Sequence, residues 1–298
     1  MLASLLTTLG FSLSVIFATR SAKVLGGPTA NVARLALAAF LLAIWAHAFG
    51  GGLRGAGLPW FFFSGVVGFA LGDTALFGAL QRIGPRLTIL LTQCLAAPIA
   101  ATAEWLWLGT TLRSSELVCS GIILAGVGLA LAPDRSFEGS RRLFWVGVVF
   151  GIGSAAGQAL GAVISRKANY VSEAAGMVVD GGTAAYQRIL AGMVVTALTF
   201  AFVKRMRPEP GTVGPAQWQK AWPLVVANAL AGPTLGVACY QWALRTTESG
   251  IVLPIVATSP LVTMLLTWMI DGERPTRRAT LGGIIAVGGA AGLKFFSE

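Results

Sequence analysis

Acidic residues are scarce in this chain: 12 of 298, against 22 Lys and Arg, and all charged residues together make up only 11%. A soluble domain carries roughly 25% charged residues, and it could not hide the apolar remainder in one core. A water-soluble globular enzyme is excluded on that ground, and so is a disordered chain, which needs high charge and low hydrophobicity. Three cysteines with no paired spacing exclude a disulfide-stapled secreted domain. With a single histidine, His47, no histidine metal cluster is available, and HExxH, GxSxG and Walker patterns are all missing. No metal, no cofactor and no direct use of ATP are therefore expected. An intramembrane enzyme is the reading from another class, and it would need a catalytic pair that the sequence does not contain.

What is abundant is apolar surface. Hydrophobic residues make up 55% of the chain, and the mean hydropathy is +0.74. About 20 apolar residues cross a bilayer as helix. Ten runs of that kind are predicted, near 2–19, 29–48, 59–80, 87–108, 115–132, 143–164, 183–203, 222–244, 249–270 and 279–296. No strict alternation over ~10-residue segments, the mark of a transmembrane barrel, occurs. The first run lacks a basic leader and a small-x-small cleavage pattern, so it reads as a span rather than a signal peptide. The fold class expected is an all-α integral membrane protein of ten transmembrane helices, with the lipid bilayer as its main partner.

Lys and Arg sort unevenly among the connections. Fourteen fall on one side: Arg20, Lys23, Arg82, Arg86, Arg135, Arg141, Arg142, Lys204, Arg205, Arg207, Lys220, Arg274, Arg277 and Arg278. Six fall on the other, Arg54, Arg113, Arg166, Lys167, Arg245 and Lys294, while Arg34 and Arg188 lie inside spans. The positive-inside rule then puts the first side in the cytoplasm and both termini outside. Juxtamembrane bases facing anionic lipid account for the net charge of +10, so no nucleic-acid partner is implied.

An internal repeat carries the most information. "RLALAAFLLA" from Arg34 is echoed by "RILAGMVVTA" from Arg188. Pro98, Gly121 and Gly126 align with Pro260, Gly283 and Gly288 at one constant spacing, and "GDTALFGAL" from Gly72 faces "GVACYQWAL" from Gly236. Five spans per repeat put the halves, 1–135 and 136–298, in opposite orientations. Inverted repeats of this type build many secondary transporters, with the solute near the midplane between them.

Carried by Arg34 and Arg188, by Pro98 and Pro260, and by the turn "DGERPTRRATLGGIIAVGG" with its weaker copy "GTTLRSSELVCSGIILAGVG", the chain resembles the drug/metabolite transporter superfamily in its ten-helix EamA-type arrangement. The first copy of the turn lacks the acid–base pair Glu273 and Arg274. Around "GFALGDTALFGALQRIGP" it is similar to the YddG-type branch, which implies export of aromatic and other neutral amino acids. Members are often drawn with cytoplasmic termini, opposite to the charge count. The resemblance implies alternating access for a small-molecule solute, an amino acid or similar metabolite; a multidrug exporter of lipophilic cations is the rival within transport.

Asp73 stands inside the third span, where a carboxylate is costly unless paired or hydrated. Two readings are open: a group for proton coupling or for a substrate ammonium, and a cap on local backbone N–H groups. Gln93, Gln158 and Tyr240 offer uncharged hydrogen bonding to a solute, and Phe77 and Trp242 offer flat apolar walls. Tyr186, Gln187, Asn228 and Gln241 share that polar character, with inter-helix bonding as the alternative. Pro98, Pro254 and Pro260 each remove a backbone N–H within a span and are candidate hinges.

Overall fold

A computed structural model describes residues 1–132, 140–206, 213–272 and 275–297. In hydrocarbon every backbone N–H and C=O needs an internal partner, and helix supplies it within one segment. Among the described residues ten helices result: α1 Leu2–Leu25, α2 Gly27–Ala48, α3 Leu58–Gly84, α4 Leu87–Leu108, α5 Ser114–Leu131, α6 Arg141–Ala174, α7 Gly181–Met206, α8 Pro215–Thr246, α9 Ser249–Ile270 and α10 Arg277–Ser297. Among the described residues, all except α7 and α10 are long and apolar enough to cross a membrane by length and composition.

The stops are chemical. Gly84, at φ 73° and ψ 170°, separates α3 from α4. At equivalent places in the two halves, Gly109 (φ 71°) and Gly272 (φ 75°) end α4 and α9 in the left-handed region, which glycine enters without a Cβ clash. Their N–H groups close onto Trp105 O at 3.1 Å and Trp268 O at 3.0 Å.

Two helices carry the same irregularity. α3 widens to π geometry over Val66–Gly72 and α8 over Leu230–Gly236. Each wide segment lies against a glycine of another helix. A Cβ on Gly157 of α6 would stand 2.5 Å from Gly72 Cα and 3.2 Å from Val67 O. A Cβ on Gly10 of α1 would stand 3.1 Å from Gly236 Cα and 2.6 Å from Ala231 O. The two crossings use corresponding atoms of the halves, as inverted repeats require. α1, α3, α6 and α8 thus form the close-packed centre, and α5 packs on α10 at one edge, Gly126 against Ala286.

Two expectations change. α6 does not stop near 164: it continues to Ala174 and keeps Arg166 buried inside the helix. Arg166 and Lys167 are therefore helix residues and not loop charges, because Arg166 finds a partner that a lipid-facing arginine would lack. α9 bends at Ala257–Thr258, between Pro254 and Pro260. Pro260 cannot donate to Val256 O, and the Ser259 hydroxyl does so instead at 2.6 Å. From α1, Thr8 and Ser12 hydroxyls donate to Ile255 O (3.2 Å) and Ser259 O (2.8 Å). Pro98, by contrast, lies exposed in unbroken α4.

Candidate functional site

Asp73 directly follows the π segment of α3, half-buried at the middle of the bundle. Its carboxylate accepts no hydrogen bond from a local N–H among the described residues, and the start of the following α-helical stretch has no side-chain cap. It is therefore not a helix cap. The charges that act on it are Arg34 of α2 and Arg188 of α7, yet neither stands within ion-pair distance. Arg34 is half-buried, its Nε donating to Asn31 Oδ1 at 2.8 Å.

Arg188 is the more confined of the two, 5% exposed. Its guanidinium passes where two helices have no side chain: a Cβ on Gly68 of α3 would meet an Arg188 Nη at 2.7 Å, and one on Gly161 of α6 at 2.9 Å. Aromatic faces flank it. The guanidinium carbon lies 5.4 Å from the Phe69 ring centroid and 5.8 Å from that of Tyr240 on α8, a favourable quadrupole contact in a desolvated place. Tyr240 is itself 5% exposed, with the Phe11 ring of α1 at 6.2 Å. Among the described residues, the Arg188 Nε, the Tyr240 hydroxyl and both amide atoms of Gln241, next in sequence to Tyr240, have no hydrogen-bond partner. Buried polar atoms are nearly always paired in folded proteins, so the unmet Arg188 Nε and Tyr240 hydroxyl, on two helices that meet at this guanidinium, mark it as a candidate site.

Of the other residues singled out in the sequence, Gln93 and Gln158 are half-buried, and no described side chain or backbone group bonds to their amides. The Phe77 side chain lies outside the described residues. Trp242 is 42% exposed. Two residues along a helix turn a side chain by about 200°, so with Tyr240 facing the core Trp242 faces outward, and the two are not brought together. Gln187 is fully buried but donates to Gly52 O (2.9 Å) and Arg54 O (3.2 Å), which anchors a connection. Asn228 accepts from Ser14 at 2.6 Å, joining α8 to α1, and Tyr186 stacks edge-on with His47 at 5.5 Å. Asn228 and Tyr186 join helices, and Gln187 ties α7 to the α2–α3 connection. Among the described residues no group of three or more His, Cys, Asp and Glu converges.

Two polar networks escaped the sequence reading. Glu104 of α4, 2% exposed, pairs with Arg166 Nε and accepts the Ser249 N–H (2.8 Å) and hydroxyl. Arg166 also donates to Leu244 O (2.8 Å), to Thr247 O and to the Tyr170 hydroxyl (2.6 Å). The end of the bundle where α4 finishes and α9 begins is thereby fastened across four helices. The second network is the N-terminal cap of α7. Asp180 accepts from Trp45 Nε1 (2.8 Å), from the N–H of Gly182 and Thr183 (3.0 Å each) and from the Thr183 hydroxyl (2.5 Å). Burial alone pushes this carboxyl up; the hydrogen bonds from Thr183, Trp45 and the two backbone N–H groups outweigh it and hold it below its ordinary value.

The EamA-like transporter family matches residues 1–132 and 145–295. A solved crystal structure of a protein 20% identical to this chain superposes with a TM-score of 0.73, covering 98% of this chain and 96% of that one. At that identity it speaks for the fold alone. No curated protein matches.

Proposed function

The chain belongs to the EamA-like transporter family, and on that premise we propose that it exports neutral amino acids, aromatic ones among them, or similar small metabolites, by alternating access. A multi-pass secondary transporter, not an enzyme, is what the family membership and the spans establish; the solute and the direction are our reading. The observation that carries it is the central cluster, where Asp73 faces Arg188 and Arg34 with no direct ion pair between them. Opposite charges kept apart at membrane depth are expensive unless something bridges them, and a zwitterion carries both complements. Asp73, Gln93, Gln158 and Tyr240 are the proposed solute contacts, and the halves 1–135 and 136–298 the bodies that rock, in a bacterial inner membrane with both termini outside. A lipophilic-cation exporter needs an acid that dominates its cavity; here two arginines outnumber one aspartate, which favours the zwitterion.

The test is counterflow in proteoliposomes with labelled neutral amino acids beside cationic dyes. Amino-acid exchange is expected; dye flux without it would overturn the reading. Asp73 is also the candidate proton carrier. Asp73→Asn should abolish the pH dependence of flux while leaving solute binding measurable, and an unchanged pH dependence would remove it from coupling.

A further inference from the structure

We propose that Arg188, with the Tyr240 hydroxyl, is the docking point for a carboxylate of the transported solute, and that a free carboxylate is what the site demands. The inference rests on the reading of the central cluster as the solute site and deepens it, by naming the group recognised and the atoms that recognise it.

Four observations converge. First, Arg188 is nine-tenths buried with an unpartnered Nε, and among the described residues nothing hydrogen-bonds to its guanidinium. A guanidinium has five donors and no acceptor, so leaving them unmet at this depth is costly and an anion relieves the cost. Second, the place is shaped for that head group: Gly68 and Gly161 leave the volume that any side chain would fill. Third, the Tyr240 hydroxyl, also unpartnered, belongs to the ring that flanks the guanidinium, so a second donor stands beside the first. A planar fork beside a hydroxyl matches the two oxygens of a carboxylate. Fourth, Asp73 acts on Arg188 electrostatically but does not pair with it. Arg188 is thus left for a ligand anion, while Asp73 is left to face an ammonium. Arg34 does not compete for this role, because Asn31 already accepts from its Nε.

The experiment uses the purified full chain and three probes of one shape: phenylalanine, phenylpropionate, which lacks the ammonium, and phenethylamine, which lacks the carboxylate. Binding is measured by calorimetry, and exchange by counterflow. Phenylalanine and phenylpropionate are expected to bind and phenethylamine to bind much more weakly. Arg188→Gln should weaken both carboxylates by about 100-fold, since it removes the cation of a buried charged hydrogen bond. Tyr240→Phe should weaken them by about tenfold through the lost hydroxyl. Arg188→Lys keeps the charge and loses the fork, and should fall in between, at about tenfold; it also serves if the glutamine variant does not fold. Phenethylamine binding as tightly as phenylalanine, failure of both carboxylates to bind, or carboxylate binding indifferent to Arg188→Lys and Tyr240→Phe would each overturn the proposal. Phenylpropionate binding that depends on Arg188, without phenylalanine exchange, would uphold the carboxylate anchor and sink amino-acid export.

Discussion

Removing the Glu104 charge tests how the bundle end is fastened. Glu104→Gln preserves shape and leaves Arg166 charged and buried. Breaking a buried pair by deleting one partner costs about 3–5 kcal/mol, because the remaining charge is uncompensated. Arg166 keeps three oxygen acceptors, Leu244 O, Thr247 O and the Tyr170 hydroxyl, so the lower end, about 3 kcal/mol, is expected. Arg166→Met strands Glu104 with the Ser249 N–H and hydroxyl as its remaining partners, at a similar cost of about 3 kcal/mol. The double variant leaves no charge uncompensated, and what remains is the cost of burying the glutamine amide and repacking around the methionine. Its loss should therefore fall about 2–3 kcal/mol short of the sum of the single losses. The assay is thermal unfolding of the detergent-solubilised protein. At about 2–4 °C per kcal/mol for a chain of this size, each single variant should lower Tm by about 6–12 °C. Losses that add to within about 0.5 kcal/mol would refute the coupling.

Gly157→Ala places a methyl against the Gly72 backbone, which has no side chain to move aside, and should destabilise by about 1–3 kcal/mol. Gly121→Ala meets nothing within 4 Å and should be neutral or stabilising by up to about 1 kcal/mol; equal Tm changes for the two would show that the crossing is not tight. Asp180→Ala should cost about 1 kcal/mol as a lost cap. Because this carboxyl is held below its ordinary value, its stabilisation is complete above about pH 4 and fades as pH falls through the lower folded value. The acid slope of stability in the wild type should then flatten in the variant, and a slope unchanged by the substitution would argue against the cap. Trp242→Ala should leave solute affinity unaltered, since the ring faces away from Tyr240; a loss above tenfold in the binding assay would place it in the site.

Much of the helical order is written in hydropathy, because the bilayer offers one economical solution to each apolar run. Asp73 is conspicuous for the same reason: one carboxylate in such a run stands out. Arg188 was visible only as a repeat marker. Its environment depends on Gly68 and Gly161, which are distant in sequence and indistinguishable there from packing glycines. Glu104 stands four residues from the end of its span and Arg166 beside Lys167, so each mimics an interfacial charge; only the fold reveals that they neutralise one another. Trp242 is a different lesson, since the helical period already separates it from Tyr240 by more than half a turn. The π segment of α8 had a signal in Pro233, which lacks the N–H that a regular turn needs; that of α3 had none beyond the Gly72 and Gly236 correspondence, because an extra residue in a helical turn changes hydrogen-bond register without changing composition.

The matched π segments also bear on orientational degeneracy. Gly72 and Gly236 end them at equivalent places, and the next residue is Asp73 in one half but Val237 in the other. Two like residues there would make the centre look the same from either end of the bundle, and a solute bound there would fit head-first or tail-first equally well. Two acids would also repel one another across the middle. With the arginines doubled and the acid single, that equivalence is gone, and the proposed dipolar solute would have one way to lie.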